Sequence, residues 1–143
     1  MTEEEIIGRL RASGYRLTPQ RRNLVDVLLR AEGPLTAEEI HQRASKARAG
    51  ADLSTIYRNL ATFCEMGWLD ALPGANGERF YQLHDEREQT MSVLCLDCGR
   101  LTPVSAPTGP LNDAVRGMGF NADSLRVTLA AHCGEPICPR KEK

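Results

Sequence analysis

The stretch Ser54-Thr55-Ile56-Tyr57-Arg58-Asn59-Leu60 decides the fold. Ile56, Leu60 and, one turn on, Phe63 form a single apolar stripe at helical spacing. Asp52 stands where a helix N-cap belongs, and Gly67 lies near the far end. With the stripe against a core, Thr55, Tyr57, Arg58 and Asn59 are left for the flanks or the outer face. Arg forks onto guanine, Asn onto adenine, and an aromatic or methyl group meets the thymine methyl. Any one of these residues reads as a plain exposed side chain. The set, on the last helix before a hairpin, reads as a DNA-reading surface.

Three further helices precede it. Thr36-Ala37-Glu38-Glu39 fits a capping box and opens a helix carrying Ile40, which Ala49-Gly50 breaks. Thr18-Pro19 opens another, a Thr N-cap followed by Pro at the position that needs no N–H. Leu24, Val25, Leu28 and Leu29 make its stripe, and Gly33-Pro34 stops it. Ile6, Ile7 and Leu10 predict a short first helix up to Ser13-Gly14. The connection Gly14-Tyr15-Arg16-Leu17 puts Arg16 on a glycine-preceded loop, from which it can enter a minor groove or meet phosphate. Arg21 follows in Thr18-Pro19-Gln20-Arg21-Arg22, and is a candidate for the same surface.

Downstream of Gly67 the period changes to two. Trp68 to Leu72 and Glu78 to Leu83 flank the turn-rich Pro73-Gly74-Ala75-Asn76-Gly77, which predicts a β-hairpin with a five-residue loop. Four short helices and a hairpin give a winged helix-turn-helix with one extra leading helix. The charge supports the reading: Arg9 to Thr62 holds ten Lys/Arg against five Asp/Glu, whereas from Ala71 onward eight face nine. A basic half joined to a near-neutral half suits DNA binding coupled to another task.

The second half reads as α+β. Met91 to Asp97 and Arg100 to Val104 are strand-like, Pro110 to Met118 is helical, and Asp123 to His132 alternates. In a chain of 143 residues, each half is about 70 residues long and has a thin core that needs a metal or a partner chain. A small sheet with one helix is expected to pair with a second copy. No apolar run approaches the roughly 20 residues that span a bilayer. Met1 to Glu5 lacks the order of a secretory signal, so the expected location is cytoplasmic.

Four of the five cysteines form two close pairs, Cys95-x-x-Cys98 and Cys133-x-x-x-x-Cys138. Each pair sits at the end of an expected strand, so strand pairing can bring four soft thiolates around one tetrahedral Zn²⁺. The competing readings are two disulfides or a redox dithiol. A cytoplasmic chain disfavours the first, and the second prefers a helix N-terminus in a βαβ unit. Cys64, beside Phe63, reads as a buried structural thiol.

With these motifs assembled, the chain resembles the ferric uptake regulator family. The matching segments are Gly14-Tyr15-Arg16-Leu17-Thr18-Pro19-Gln20-Arg21, Thr36-Ala37-Glu38-Glu39-Ile40 and Ser54-Thr55-Ile56-Tyr57-Arg58-Asn59-Leu60. Cys95-Leu96-Asp97-Cys98-Gly99 and His132-Cys133-Gly134-Glu135-Pro136-Ile137-Cys138 complete them. The resemblance implies a winged-helix DNA-binding domain over residues 1–84, a hinge over 85–90, and an α/β dimerisation domain over 91–143. It implies Arg16 in the minor groove, Tyr57 and Arg58 as recognition-helix contacts, and Cys95, Cys98, Cys133 and Cys138 as ligands of a structural zinc. The expected partners are a second copy and a palindromic double-stranded DNA operator, with repression as the outcome.

The sequence departs from the family at the regulatory metal. The His-rich run expected before the first Cys pair reads Glu88-Gln89-Thr90-Met91-Ser92, and Pro34, Gln82 and Leu125 stand at other ligand positions. His84, close to Asp85 and Glu88, can anchor a rebuilt hinge site of nitrogen and oxygen ligands for Fe²⁺, Mn²⁺ or Zn²⁺. A solvated polar hinge is the plainer reading. The function classes are therefore a metal-responsive repressor, a same-fold regulator responding to redox or another signal, and an interaction module or enzyme without DNA affinity. No Ser/His/Asp set, phosphate loop or open three-ligand zinc site marks an enzyme.

Overall fold

The structure is a computed structural model that describes residues 2–47, 50–84, 89–123 and 125–134. The chain divides into two compact units, Met1–Pro73 with Glu78–His84, and Gly74–Gly77 with Asp85–Lys143.

In the first unit, helices α1 (Glu3–Ala12), α2 (Pro19–Leu29), α3 (Ala37–Ala47) and α4 (Leu53–Glu65) start on side-chain caps that the local sequence supplies. The Thr2 hydroxyl accepts from the Glu5 N–H, and the Glu5 carboxylate accepts from the Thr2 N–H at 2.8 Å. Thr18 accepts from the Arg21 N–H at 3.2 Å with Pro19 at the first helical position, and Asp52 accepts from the Thr55 N–H at 2.8 Å. These bonds satisfy N–H groups that the helix itself cannot. Ile6 and Leu10 of α1, Leu24 and Val25 of α2, Ile40 of α3, and Ile56, Leu60 and Phe63 of α4 are all at or below 2% exposure. The four apolar stripes thus converge on one core, to which Trp68 adds its ring 5.6 Å from that of Phe63.

A three-stranded antiparallel sheet closes this unit, in the order β1-β3-β2. Strands β2 (Leu69–Pro73) and β3 (Arg79–Leu83) form the hairpin, in register from Leu69 opposite Leu83 to Pro73 opposite Arg79. Asn76 and Gly77, at φ 55° and 78°, turn the chain between them in the left-handed region that Asn and Gly tolerate. Strand β1, only Leu35–Thr36, pairs with Tyr81 and Phe80. The sequence reading gave Thr36 a helix-capping role alone. Thr36 does both: its hydroxyl accepts from the Glu39 N–H at 3.2 Å and its own N–H donates to Glu39 at 2.9 Å, while its backbone lies in the sheet.

The second unit holds a sheet in the order β5-β4-β6, made of β4 (Thr90–Cys95), β5 (Leu101–Val104) and β6 (Arg126–Ala131), with helix α5 (Gly109–Gly117) between β5 and β6. β4 and β5 are antiparallel, whereas β4 and β6 are parallel, with Cys95 opposite Ala131. Among its described residues only Ser92, Leu94, Leu101 and Ala122 are buried. No residue of α5 is buried, and Met118 and Phe120 just beyond it stay 72% and 64% exposed. Among the described residues, no helix is long and apolar enough to cross a membrane.

Candidate nucleic-acid interface and metal centre

The N-cap at Asp52 and the buried stripe Ile56, Leu60 and Phe63 fix the rotation of α4 about its axis. That rotation leaves Tyr57 43% exposed and Arg58 exposed, with Thr55 half-buried at the edge. The Tyr57 hydroxyl donates to Glu38 Oε1 of α3 at 3.0 Å. This bond, with some burial and the charge of Glu38, raises the Tyr57 pKa above its ordinary value of 10. Arg58 and Arg16 present exposed side chains on α4 and on the loop between α1 and α2.

Two of the candidate DNA-contacting residues bond to groups within the fold. Asn59 is only 8% exposed, its Oδ1 accepting from Arg21 Nε at 3.0 Å and its Nδ2 donating to the Thr55 carbonyl at 3.0 Å. Arg21 also donates from Nη1 to the Arg16 carbonyl at 2.8 Å, and its guanidinium lies 5.3 Å above the centre of the Tyr15 ring. The helical period explains the difference. Asn59 follows Ile56 by three positions and therefore shares its face, where a buried amide persists only if hydrogen-bonded.

In the second unit, the parallel pairing of β4 and β6 carries the end of β4, Cys95, to the chain just past β6, Cys133. Their sulfurs are 2.8 Å apart. A tight turn with Gly99 at φ 72°, closed by the Gly99 N–H on the Cys95 carbonyl at 2.8 Å, folds Cys98 back. The three sulfurs lie within 4.8 Å of one another. Two sulfurs on one tetrahedral zinc, at about 2.3 Å each, lie about 3.8 Å apart, so this soft donor set can close on the ion once the Cys95 and Cys133 sulfurs separate by about 1 Å. Cys138 lies outside the described residues.

The thiol of Cys133 hydrogen-bonds Cys95, and the Cys98 backbone adds to it, holding the Cys95 pKa down at about 6. Asp97, between the first two cysteines, reaches across: one oxygen accepts from the Cys133 N–H at 2.8 Å and the other lies 3.0 Å from His132 Nδ1. The half-buried Cys64 belongs to the other unit, where burial raises its pKa.

His84 closes the hairpin. Its N–H donates to the Trp68 carbonyl at 2.6 Å, and its Nδ1 lies 3.0 and 3.1 Å from the two oxygens of Asp70, which is 8% exposed. Asp85 and Glu88, expected beside it, lie outside the described residues. His41 is 3.0 Å from the Ala51 carbonyl through Nε2, tying α3 to the segment before α4. Glu38, Asp70 and Asp97 went unrecognised as site residues in the sequence. The only available signals were the position of Glu38 in Thr-Ala-Glu-Glu and that of Asp97 inside the Cys pair.

The model of the ferric uptake regulator family matches residues 12–130. A ferric uptake regulation protein of Synechocystis sp. is 35% identical over 147 residues, covering 95% of this chain and 86% of that protein. A peroxide-responsive repressor, PerR, of Staphylococcus saprophyticus is 33% identical over 106 residues, covering 73% of this chain and 69% of the repressor. The Helicobacter pylori ferric uptake regulator, described as having three functional metal-binding sites, superimposes with a TM-score of 0.78 at 26% identity, covering 94% of this chain and 93% of its own. A zinc-bound manganese uptake regulator superimposes with a TM-score of 0.71 at 25% identity, covering 94% of this chain and 100% of its own.

Proposed function

This chain belongs to the ferric uptake regulator family and is a DNA-binding transcriptional regulator rather than an enzyme; from that premise we propose that it is a homodimeric repressor that reads a palindromic operator in the cytoplasm. Residues 1–84 bind DNA, 85–90 form the hinge, and 91–143 form the dimerisation domain. Arg58 and Tyr57 on α4 meet base edges in the major groove, Thr55 contributes from the helix edge, and Arg16 enters the minor groove or meets phosphate. The observation that carries this reading is the outward presentation of Tyr57 and Arg58 by a helix whose other face is anchored in the core. The bare apolar surface of α5 and its surroundings supports a second copy as partner.

Cys95, Cys98 and Cys133 hold a structural zinc, with Cys138 as the fourth ligand. When bound, the ion supplies a crosslink between the ends of β4 and β6 in a unit with little buried core. A second divalent ion, Fe²⁺, Mn²⁺ or Zn²⁺, is held at the hinge by His84 with Asp85 and Glu88. The contact of Asp70 on Nδ1 supports this, because a carboxylate on one ring nitrogen orients an imidazole ligand. A second reading keeps the fold and DNA binding but replaces the ion with a redox or other signal. It is favoured by the similarity to a peroxide-responsive repressor.

Binding of the zinc-loaded dimer to its selected duplex, followed by fluorescence anisotropy, tests the interface. Arg58→Ala is expected to cost about 1–3 kcal/mol and to relax discrimination at one base position. Unchanged affinity and discrimination would remove α4 as the reading helix.

A further inference from the structure

Arg21 stands in the first turn of α2, on the same side of the fold as Arg16, where an arginine is ordinarily read as a phosphate contact. Its geometry is different. Nε donates to Asn59 Oδ1 at 3.0 Å, Nη1 donates to the Arg16 carbonyl at 2.8 Å, and the guanidinium lies over the Tyr15 ring. Asn59 in turn donates to the Thr55 carbonyl one turn back on α4. A single planar cation therefore joins three segments: the loop bearing Arg16, the start of α2, and the helix bearing Tyr57 and Arg58. Two of the five N–H donors of Arg21 are committed to protein groups. The amide it meets is buried, so the bond is shielded from water and fixed in direction.

Lysine cannot replace this fork, since an ammonium lacks the planar geometry that makes two directed bonds while stacking on a ring. A phosphate contact, in contrast, is served nearly as well by a lysine point charge. The two roles thus differ in what they require of the residue.

We propose that Arg21 is a positioning residue of the DNA interface, which locks the Arg16 loop to the recognition helix so that minor-groove and major-groove contacts engage as one unit. This inference rests on the interface reading given above, and extends it from a set of contacts to a coupled pair.

The test uses the zinc-loaded full-length dimer and its selected duplex. Arg21→Lys and Asn59→Ala are each expected to weaken specific binding by about tenfold, with the double variant little worse than either single one. The slope of log affinity against log salt should change alike in the two variants, because both act through the Arg16 loop rather than through a phosphate contact of Arg21 itself. Arg16→Ala and Arg58→Ala should be non-additive in the parent and additive in the Arg21→Lys background. Thermal unfolding followed by Trp68 fluorescence confirms that each variant is folded. Should Asn59→Ala fail to fold, Tyr15→Leu removes the stacking ring alone, and the same loss of non-additivity is expected. Parental affinity in Arg21→Lys, or additivity of Arg16 and Arg58 in the parent, would overturn the proposal. So would a slope lower by about one in Arg21→Ala with Asn59→Ala unaffected, which marks a phosphate contact. A parent with no preference among duplexes would overturn the interface reading itself, an outcome distinct from all of these.

Discussion

The hydroxyl of Tyr57 donates to Glu38 Oε1 across the gap between α4 and α3, at 3.0 Å. An exposed aromatic on the outward face of α4 is thereby held in one direction by a carboxylate from the neighbouring helix. The bond favours the protonated phenol, because Glu38 accepts a hydrogen bond from it and repels the phenolate. The raised pKa gives a stabilising contribution that is complete below pH 10 and lost as the pH climbs through the higher folded-state value. The titration of Tyr57, obtained at 295 nm as the difference between the parent and Tyr57→Phe, should have its midpoint above 10. Glu38→Gln should move that midpoint down towards the ordinary value. A midpoint that ignores Glu38→Gln would show that the two side chains do not meet in solution.

The cysteines should separate by reactivity in reduced, metal-free protein. Cys95 is held down at about 6 by the Cys133 thiol and the Cys98 backbone, whereas burial raises Cys64. The thiolate is the reactive form, so Cys95 should be alkylated fastest by iodoacetamide with a rate midpoint near pH 6, and Cys64 slowest. For a thiol with a depressed folded pKa, the stabilising contribution is present above the ordinary thiol value of 9.0 and lost as the pH falls through about 6. Peptide mapping that finds Cys64 the faster of the two would refute the assignment.

Zinc removal should act on the second unit first. Cys98→Ser or Cys133→Ser is expected to lose the zinc equivalent and the dimer mass in native mass spectrometry. Asp97→Ala should weaken zinc affinity by about 10- to 100-fold, since Asp97 fixes the Cys133 backbone without being a ligand. Full zinc and intact dimers in both cysteine variants would exclude the thiolate site.

At the end of the hairpin, Asp70→Ala removes the carboxylate that meets His84 Nδ1 and should destabilise the first unit by about 1–3 kcal/mol. Trp68 fluorescence reports the loss, because its indole is buried in the core of this unit beside Phe63. If His84 also holds a regulatory ion, Mn²⁺, Fe²⁺ or Zn²⁺ should raise the DNA affinity of zinc-loaded parent but not of His84→Ala. An equal response in both would assign the signal to something other than a hinge metal.

Much of the first unit was legible because its signals are local. Thr18-Pro19 and Asp52 cap the helices they were expected to cap, and the stripes of α2 and α4 recur at helical spacing. Strand β1 was hidden because two residues are too few for a period, and Thr36 already had a local explanation. Asn59 was assigned to the flank or the outer face because the core face was read from the apolar stripe Ile56, Leu60 and Phe63 alone. Its burial depends on a bond to Arg21, 38 positions away, which no local pattern records. In the second unit, the cysteine spacing announced a site. The parallel pairing of β4 with β6, which carries Cys133 to Cys95, is a topological fact invisible in either strand alone.

Sequence reading by a two-fold dimer through α4 is tested most directly by repeated selection of duplexes from a random pool with the zinc-loaded protein. The expected result is convergence on an inverted repeat, with half-sites separated by about one helical turn or a multiple of it, and loss of one conserved position with Arg58→Ala. A pool that does not converge, or that converges identically for Arg58→Ala, would contradict the account.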